Sequence, residues 1–300
     1  MNDFTNKARE IAKRLLADNT VSVVLGWEKG DEPYVSAPTA IRDLADVDRL
    51  IIDEYCIHEI AALLTDYRDG DYKVAIFAKG CDARGIIRMI QDRVIPRERL
   101  HIIGINCPGM KDPNEYARAA SGFGKVAAAE IAAKCQVCQN PNPVIYDEII
   151  GDIQKIEPSN ERFNSVEEIE KMTPDERYNF FAQELSKCIR CYACRNACVA
   201  CNCRTCIFDE TKPQWVGRST DTVNNMLYHI VRATHVAGRC VECGECERVC
   251  PVGIPLMLLN RKLVKDVDEL FGPYQAGLSL EDDAIPPLSR YRVDDPDEFM

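Results

Sequence analysis

The sequence predicts two domains of different fold class: an α/β domain with a mainly parallel sheet, followed by a mostly α-helical domain. In the first part, continuous apolar runs at 72–78 and 101–106 predict buried strands on either side of an amphipathic helical segment at 85–95. This strand–helix–strand order is a βαβ unit. In the second part, segments 222–238 and 255–272 have apolar residues at helical spacing. A length of 300 residues agrees with about two domains.

The rest of the first domain extends this unit on both sides. Apolar spacing predicts a first helix at 3–18 and two further strands at 21–27 and 33–39. It also predicts helical segments at 42–50, at 56–65 and in part of 114–133. These elements predict an open α/β sheet. In such sheets, sites form beyond the carboxyl ends of the strands.

A cluster of helix-breaking residues at 157–160 and the polar stretch after it predict the boundary between the domains. Thr173 is expected to cap a helix, with Pro174 at its first position and Glu176 completing a capping box. The sequence accordingly predicts an α/β domain at 1–155, a linker at 156–172, a helical domain at 173–272 and an acidic C-terminal arm at 273–300. The arm is either an extended segment or a disordered tail.

Composition limits the environment and the partners. The net charge is −11 and no basic block is present, which argues against nucleic acid or an anionic membrane as a steady partner. No apolar run approaches the ~18–20 residues that span a bilayer, and residues 1–14 lack the apolar core of a signal peptide. We therefore expect a cytoplasmic protein without a membrane span, whose sixteen cysteines act as metal ligands rather than disulfides.

The most specific signal is a pair of cysteine-rich runs, CIRCYACRNACVACNCRTC from Cys188 and CVECGECERVCP from Cys240. Each contains Cys-x2-Cys-x2-Cys-x3-Cys, the spacing that holds cubane iron–sulfur clusters. In a paired arrangement, three cysteines of one run bind one cluster and the fourth binds the neighbouring cluster. The spacing therefore predicts two [4Fe-4S] clusters, cluster A on Cys188, Cys191, Cys194 and Cys250, and cluster B on Cys240, Cys243, Cys246 and Cys198.

The alternative for these runs is structural zinc, which also takes four thiolates but usually shows two separated Cys-x2-Cys pairs. Here each run has a third and a fourth cysteine at the same spacing, which favours iron–sulfur clusters over zinc. Because the runs are flanked by predicted helices, the second domain is expected to be a helical dicluster ferredoxin domain rather than the compact β-hairpin type.

Four cysteines of the first domain form a further candidate site. Cys81 and Cys107 each follow a buried strand, and Cys135 and Cys138 form a Cys-x2-Cys pair. Four thiolates at one edge of a sheet could bind a third cluster or a zinc ion. The alternative is a set of buried, inert thiols, which are common in protein cores.

Three more cysteines, Cys201, Cys203 and Cys206, come directly after the bridging ligand Cys198. They could form part of a fourth cluster, lend a ligand to the site of the first domain, or bind a cluster shared with a partner subunit. Cys56 would complete a set of four, but no spacing links it to them. We keep the three cysteines as candidate metal ligands.

The sequence shows no catalytic constellation. It has no Gly-x-Gly-x2-Gly, P-loop or Ser/His/Asp pattern, and SGFGK at 121–125 follows no predicted strand. The four histidines have no setting that would make one a catalytic base, and we expect them to be surface or packed side chains. Electron transfer alone needs neither an acid nor a base.

Several motifs of the first domain match those of one family. Cys81 lies in an Ala-Lys-Gly-Cys-Asp turn after the central strand, Cys107-Pro108-Gly109 follows the next strand, and Lys134-Cys135-x2-Cys138 precedes an Asp147…Gly151 stretch. Over about residues 20–152, the chain resembles the N-terminal domain of the coenzyme F420 hydrogenase/dehydrogenase beta-subunit family, with Ala-Lys-Gly-Cys-Asp in place of that family's Gly-Thr-Pro-Cys-Gln. The resemblance implies a third cluster on Cys81, Cys107, Cys135 and Cys138.

The second domain resembles another group of modules. Residues 186–272 are similar to the two-cluster helical ferredoxin modules of heterodisulfide reductase, although Cys198-Val199 stands where those modules usually have Cys-Pro. Proline there shapes the turn and is not a ligand. The change therefore need not remove a cluster.

These resemblances imply an iron–sulfur electron-transfer subunit of a cytoplasmic anaerobic oxidoreductase complex. It would relay electrons between a hydrogenase or formate dehydrogenase module and a flavin-bearing, heterodisulfide-reductase-like subunit. One alternative is a flavin-dependent reductase of F420 or NAD(P)H that binds FAD itself, near Gly80–Arg84 and Asn106–Gly109; most of the beta-subunit family's flavin-and-substrate half, however, has no counterpart here. The other alternative is a zinc-stapled scaffold protein.

Overall fold

The computed structural model describes residues 2–113, 131–153, 159–281 and 286–287. The chain divides into two compact units, Met1–Asn160 and Glu161–Met300. Three features expected from the sequence lie wholly or mostly outside the described residues: the helical part of 114–133, the SGFGK motif and the acidic arm.

The first unit is built on a mixed sheet that is parallel through its centre. The strands are β1 (Val23–Lys29), β2 (Ser36–Ile41), β3 (Leu50–Ile51), β4 (Val74–Ala78), β5 (Leu100–Ile105) and β6 (Glu148–Ile150). Their order is β2-β1-β4-β5-β6, and β3 also pairs with β1. The β1–β4, β4–β5 and β5–β6 pairs are parallel, whereas β2 and β3 are antiparallel to β1. The expected α/β fold with a mainly parallel sheet is therefore confirmed.

Helices and short turns complete this unit. They are α1 (Asn2–Ala17), α2 (Gly80–Gln91), α3 (Ala133–Gln136) and the 3-10 helices Leu44–Arg49, Ala61–Tyr67 and Arg97–Arg99. Every residue of β4 is buried, as its continuous apolar sequence predicts for a central parallel strand. Ala78 at the end of β4 is paired with Gly104 of β5, so the two strands end side by side.

Helix α2 begins at Gly80 rather than at residue 85, which brings Cys81 into its first turn. The earlier start has a local cause. The carboxylate of Asp82, at the third helical position, accepts a hydrogen bond from the backbone N–H of Lys79 at 2.9 Å and so closes the N-terminus.

Other local differences are smaller. The segments expected as helices at 42–50 and 56–65 contain 3-10 helices, the first of which leads directly into β3. Strand β6 was not expected, because three residues are too short to show an alternating pattern.

The second unit is helical in its described part. Its helices are α4 (Asn164–Glu170), α5 (Pro174–Ser186), α6 (Ala193–Asn196), α7 (Thr222–His235), α8 (Glu245–Arg248) and α9 (Leu256–Leu270). The capping box of α5 is confirmed: Thr173 Oγ1 accepts from the N–H of Glu176 at 3.3 Å, and the Glu176 carboxylate accepts from the N–H of Thr173 at 2.8 Å. The helices expected at 222–238 and 255–272 are present as α7 and α9.

The segment expected as a linker, 156–172, contains helix α4. This helix packs on α9. Glu170 at its end forms ion pairs with Lys262 and Lys265 of α9, at 3.0 and 2.5 Å. Within the second unit, the later part of the segment is thus a packed helix rather than a free connection.

The core of the second unit contains cysteines. Leu185, Tyr228, Ile254 and Leu256 are almost fully buried, and they form one apolar cluster that includes Cys188, Cys194 and Cys246. Three predicted ligands therefore belong to the core itself. Among the helices described in both units, none is long and apolar enough to cross a membrane.

Candidate functional site

The two cysteine runs of the second unit fold with the same backbone turn. Arg190 and Tyr192 have φ of 55° and 60°, and Glu242 and Gly244 have φ of 58° and 68°. The first pair stands at the same offsets from Cys188 as the second pair from Cys240. Positive φ is uncommon at non-glycine residues. Turns of this kind aim backbone N–H groups into a concave, anion-binding surface, which suits an anionic cluster.

The four thiols predicted to bind cluster A are electrostatic neighbours. Burial raises the pKa of Cys188, and the thiolates of Cys194 and Cys250 raise it further. Burial likewise raises the pKa of Cys194, with added effects from Cys250 and Cys191. The last cysteine of the second run is thus near the first run, as the crossed assignment requires.

The thiols predicted to bind cluster B show the reciprocal crossing. Burial raises the pKa of Cys240 to about 12, and the thiolate of Cys198 is its next cause. Burial also raises the pKa of Cys246 to about 12, and Cys198 and Cys240 add to it. Cys198 of the first run is therefore near the second run. Cys243 lies in the same turn, between Cys240 and Cys246.

Hydrogen-bond donors point at several of these sulfurs. The backbone N–H of Arg190 donates to Cys188 Sγ at 3.4 Å, and that of Ile254 donates to Cys250 Sγ at 3.4 Å. Asn260 Nδ2 donates to Cys246 Sγ at 3.3 Å. Hydrogen bonds to sulfur are one means by which a protein sets a cluster's potential.

Within the described ranges, no group of three or more His, Cys, Asp or Glu side chains is already converged on a metal position. The fit to a cluster is therefore tested by the donor chemistry. Arg232 is 2% exposed, and its Nε–H has no acceptor. Cluster sulfurs are acceptors for such a group, and the neighbouring thiols are the ligands that iron–sulfur clusters take. The residues fit iron–sulfur clusters, and the individual ligand sets remain predictions.

The four candidate cysteines of the first unit also come together. Cys81 is in the first turn of α2, after β4, and Cys107 follows β5. Burial raises the pKa of Cys107 to about 11, and Cys135 and Cys138 raise it further. Burial raises the pKa of Cys81, and the Asp82 carboxylate and, to a smaller extent, Cys107 raise it further. The loop after α3 packs against the start of α2, where the N–H of Gly80 donates to the Pro141 carbonyl at 3.3 Å.

Two lysines are held beside these thiols. Lys79 Nζ donates to the His58 carbonyl and Lys134 Nζ to the Ile57 carbonyl, both at 3.0 Å. Lys79 is 2% exposed and forms an ion pair with Asp82 at 2.8 Å. Both ammonium groups favour the thiolate form of Cys81. Their role could not be found from the sequence, in which neither lysine belongs to a charge pattern.

The additional cysteines are not gathered into one set. Cys201 donates a hydrogen bond to Cys198 that lowers the pKa of Cys198. Cys206 lies beside Arg195, and Cys203 is exposed. Cys56 belongs to the first unit, where it is 1% exposed and hydrogen-bonded to Asp53. A fourth cluster on these residues thus has less support than clusters A and B.

One of the two segments suggested for FAD binding, Gly80–Arg84, is closed. A side chain at Gly80 would meet the Asn140 carbonyl oxygen at 1.9 Å. Arg84 is 4% exposed, so it does not project from the start of α2 toward solvent. Of the histidines, His229 is a packed side chain, as expected, at 2% exposure, and burial followed by Arg232 and Arg190 lowers its pKa to about 4.

Comparison with known proteins agrees with this site. A family model described as a 4Fe-4S dicluster domain matches residues 184–254, which contain both cysteine runs. The chain is 22% identical to the F420-dependent formate dehydrogenase subunit beta of Methanocaldococcus jannaschii, over 92% of each chain. It is also 22% identical to the F420-dependent formate dehydrogenase 1 subunit beta of Methanococcus maripaludis, over 92% of this chain and 90% of the relative.

These similarities confirm the resemblance drawn from the motifs, and they support an iron–sulfur, electron-transfer role in an oxidoreductase complex. The chain thus contains a 4Fe-4S dicluster domain at 184–254, and over most of its length it is similar to the beta subunits of F420-dependent formate dehydrogenases.

Proposed function

We propose that this chain is an electron-relay subunit that connects a formate dehydrogenase or hydrogenase module to a flavin-bearing, heterodisulfide-reductase-like subunit. The observation that carries the proposal is the repeated turn of the two cysteine runs, with thiols of each run lying among those of the other. The named relatives are formate dehydrogenase beta subunits, which supports a dehydrogenase as the partner.

In this proposal, cluster A is held by Cys188, Cys191, Cys194 and Cys250, and cluster B by Cys240, Cys243, Cys246 and Cys198. Bound [4Fe-4S] clusters supply one-electron redox chemistry. The chain holds three of their ligands, Cys188, Cys194 and Cys246, in its apolar core, and it directs backbone N–H groups at the sulfurs of Cys188 and Cys250. Burial of the ligands and hydrogen bonds to sulfur both set the reduction potential of a cluster, and neither requires an acid–base step.

The proposal extends to a third cluster on Cys81, Cys107, Cys135 and Cys138. Its support is the position of Cys81 and Cys107 after adjacent parallel strands, together with the interaction of Cys107 with Cys135 and Cys138. The anchored ammonium groups of Lys79 and Lys134 supply positive charge beside Cys81.

Metal and sulfide analysis of the anaerobically purified chain is the first test. Two clusters require about eight irons with matching sulfide, and the third raises this to about twelve. Zinc in place of iron would overturn the relay and support the scaffold alternative. Purification from the native host, with the partners identified by mass spectrometry, then tests the complex. A chain that co-purifies with no dehydrogenase, hydrogenase or flavoprotein would contradict the proposed partners.

Direct reduction of F420 or NAD(P)H by a flavin on this chain is the second candidate. Little favours it, because the Asn140–Pro141 loop covers the start of α2. Flavin absorbance of the isolated chain separates the two functions. Bound FAD with F420 or NAD(P)H turnover would replace the pure relay.

A further inference from the structure

Arg232 is a buried cation in the core of the second unit. It lies on α7 and is 2% exposed. Its Nη2 donates to the Cys194 carbonyl at 3.0 Å, whereas its Nε–H has no acceptor. In the described part of the chain, no carboxylate forms an ion pair with it. A buried charge without a partner is costly, so a counter-charge is expected close by.

The groups that surround Arg232 are thiols from both predicted ligand sets. Its guanidinium interacts with Cys194, which is assigned to cluster A. It also interacts with Cys198 and Cys246 of cluster B and with the additional Cys201. Arg232 thus faces both ligand sets, whose sulfurs carry negative charge when they ligate a cluster.

We propose that Arg232 is the shared counter-ion of clusters A and B and that it raises the reduction potentials of both. This inference rests on the proposed two-cluster function and adds a residue that determines the driving force of the relay. Reduction adds one electron to a cluster from its donor, and no bond is made or broken. The reduced cluster carries one more negative charge, so a fixed positive charge stabilises it more than the oxidised cluster. Arginine keeps its charge throughout and takes no part in proton transfer.

Arg190 provides an internal comparison. It is also a cation of this core, but it acts on Cys188 of cluster A. Its Nε donates to Asn225 Oδ1 at 2.9 Å and its Nη2 to the Asn224 carbonyl at 2.7 Å. We therefore expect Arg190 to affect one cluster and Arg232 to affect two.

The test is an anaerobic redox titration of the full-length chain, followed by electron paramagnetic resonance, with iron content measured on each sample. The variants are Arg232→Gln, Arg232→Lys and Arg190→Gln, and the exposed Arg218→Gln serves as a charge-matched control. In Arg232→Gln, the ratio of reduced to oxidised cluster, measured at the wild-type midpoint potential, should fall about tenfold for both clusters. For a one-electron couple this equals a fall of ~59 mV in the midpoint potential. Arg190→Gln should shift one couple, and Arg232→Lys and Arg218→Gln should shift neither substantially.

Full iron content with unshifted couples in Arg232→Gln would overturn the inference, as would a shift of only one couple. If Arg232→Gln holds too little iron to titrate, Arg232→Lys decides. Wild-type iron and potentials in the lysine variant support the role of charge, and loss of the clusters there contradicts it. Absence of iron from the wild-type chain would instead refute the proposed function, so the two failures are distinct.

Discussion

The buried ion pair between Lys79 and Asp82 gives a sharp prediction for the stability of the first unit. Both side chains are almost fully buried, at 2% and 0% exposure, and Nζ lies 2.8 Å from Oδ2. The ammonium also lies 3.9 Å from the centre of the Trp27 ring. The carboxylate accepts a second backbone hydrogen bond, from Ile60 at 3.0 Å. We predict that Asp82→Asn will strongly destabilise this unit, because it leaves Lys79 charged and buried.

The magnitude follows from the geometry. At 2.8 Å the Coulomb attraction is about 6 kcal/mol for an effective dielectric constant of ~20. Desolvation of the two ions cancels much of this, so the intact pair contributes little net stability. Removing one partner leaves the desolvation of the other uncompensated and costs about 3–5 kcal/mol. Lys79→Met should cost a similar amount, since Asp82 then loses its counter-ion.

The assay is anaerobic urea unfolding followed by the fluorescence of Trp27. The other tryptophan, Trp215, is 60% exposed and is replaced by Phe in all samples so that the signal reports on the first unit. The double variant Lys79→Met/Asp82→Asn carries neither charge and should be less destabilised than the sum of the single variants, by at least about 2 kcal/mol. Additive single effects, or a cost below about 1 kcal/mol for Asp82→Asn, would refute a charged buried pair.

Four further predictions concern the cap of α5, the clusters and acid stability. Thr173→Ala should cost about 1 kcal/mol in urea unfolding of the second unit, and Thr173→Ser, which keeps the hydroxyl, should restore most of it. Cys188→Ser should lose about four irons, whereas Cys203→Ser, which changes an exposed thiol, should retain them. Iron chelation should reduce far-UV circular dichroism, because ligand cysteines belong to the helical core, and an unchanged helix content would contradict this. Burial alone would raise the pKa of Asp147, but the hydrogen bond and ion pair with Arg97 and a hydrogen bond from a backbone N–H outweigh it and lower this pKa. The contribution of Asp147 to stability is therefore present above about pH 4 and is lost as the pH falls further. The difference in Tm between the wild type and Asp147→Asn should therefore shrink between pH 6 and pH 3, and a constant difference would count against this role.

The local features of the fold and the site were predictable from the sequence. The cysteine spacing of a cluster is a property of a single turn, so Cys188, Cys191 and Cys194 could be grouped without knowing the fold. The apolar run of β4 and the capping box at Thr173 are equally local signals. The crossing of Cys250 to the first run followed from the general rule for paired clusters, and the electrostatic neighbours of Cys188 agree with it.

What could not be predicted depends on tertiary packing. Arg232 stands in an amphipathic helix, where a basic residue usually faces solvent, and only the folded core places it beside thiols. Lys79 follows a strand and precedes a cysteine, yet its burial results from the partners Asp82, His58 and Trp27. The positive φ values at Arg190 and Tyr192 could not be predicted from their residue types, because only glycine adopts this conformation readily.

The two units meet one electrostatic demand in different ways. Clustered thiolates in apolar surroundings require positive charge nearby. In the first unit, the ammonium of Lys79 is shared with the Asp82 carboxylate, which cancels much of its field at Cys81. In the second unit, Arg232 has no carboxylate partner among the residues that the structure describes, and its charge favours the thiolate forms of Cys194, Cys198 and Cys246. Lys134 supplies a second positive charge beside Cys81. Both sets of thiols thus have cations close by, and they differ in whether a carboxylate shares the buried one.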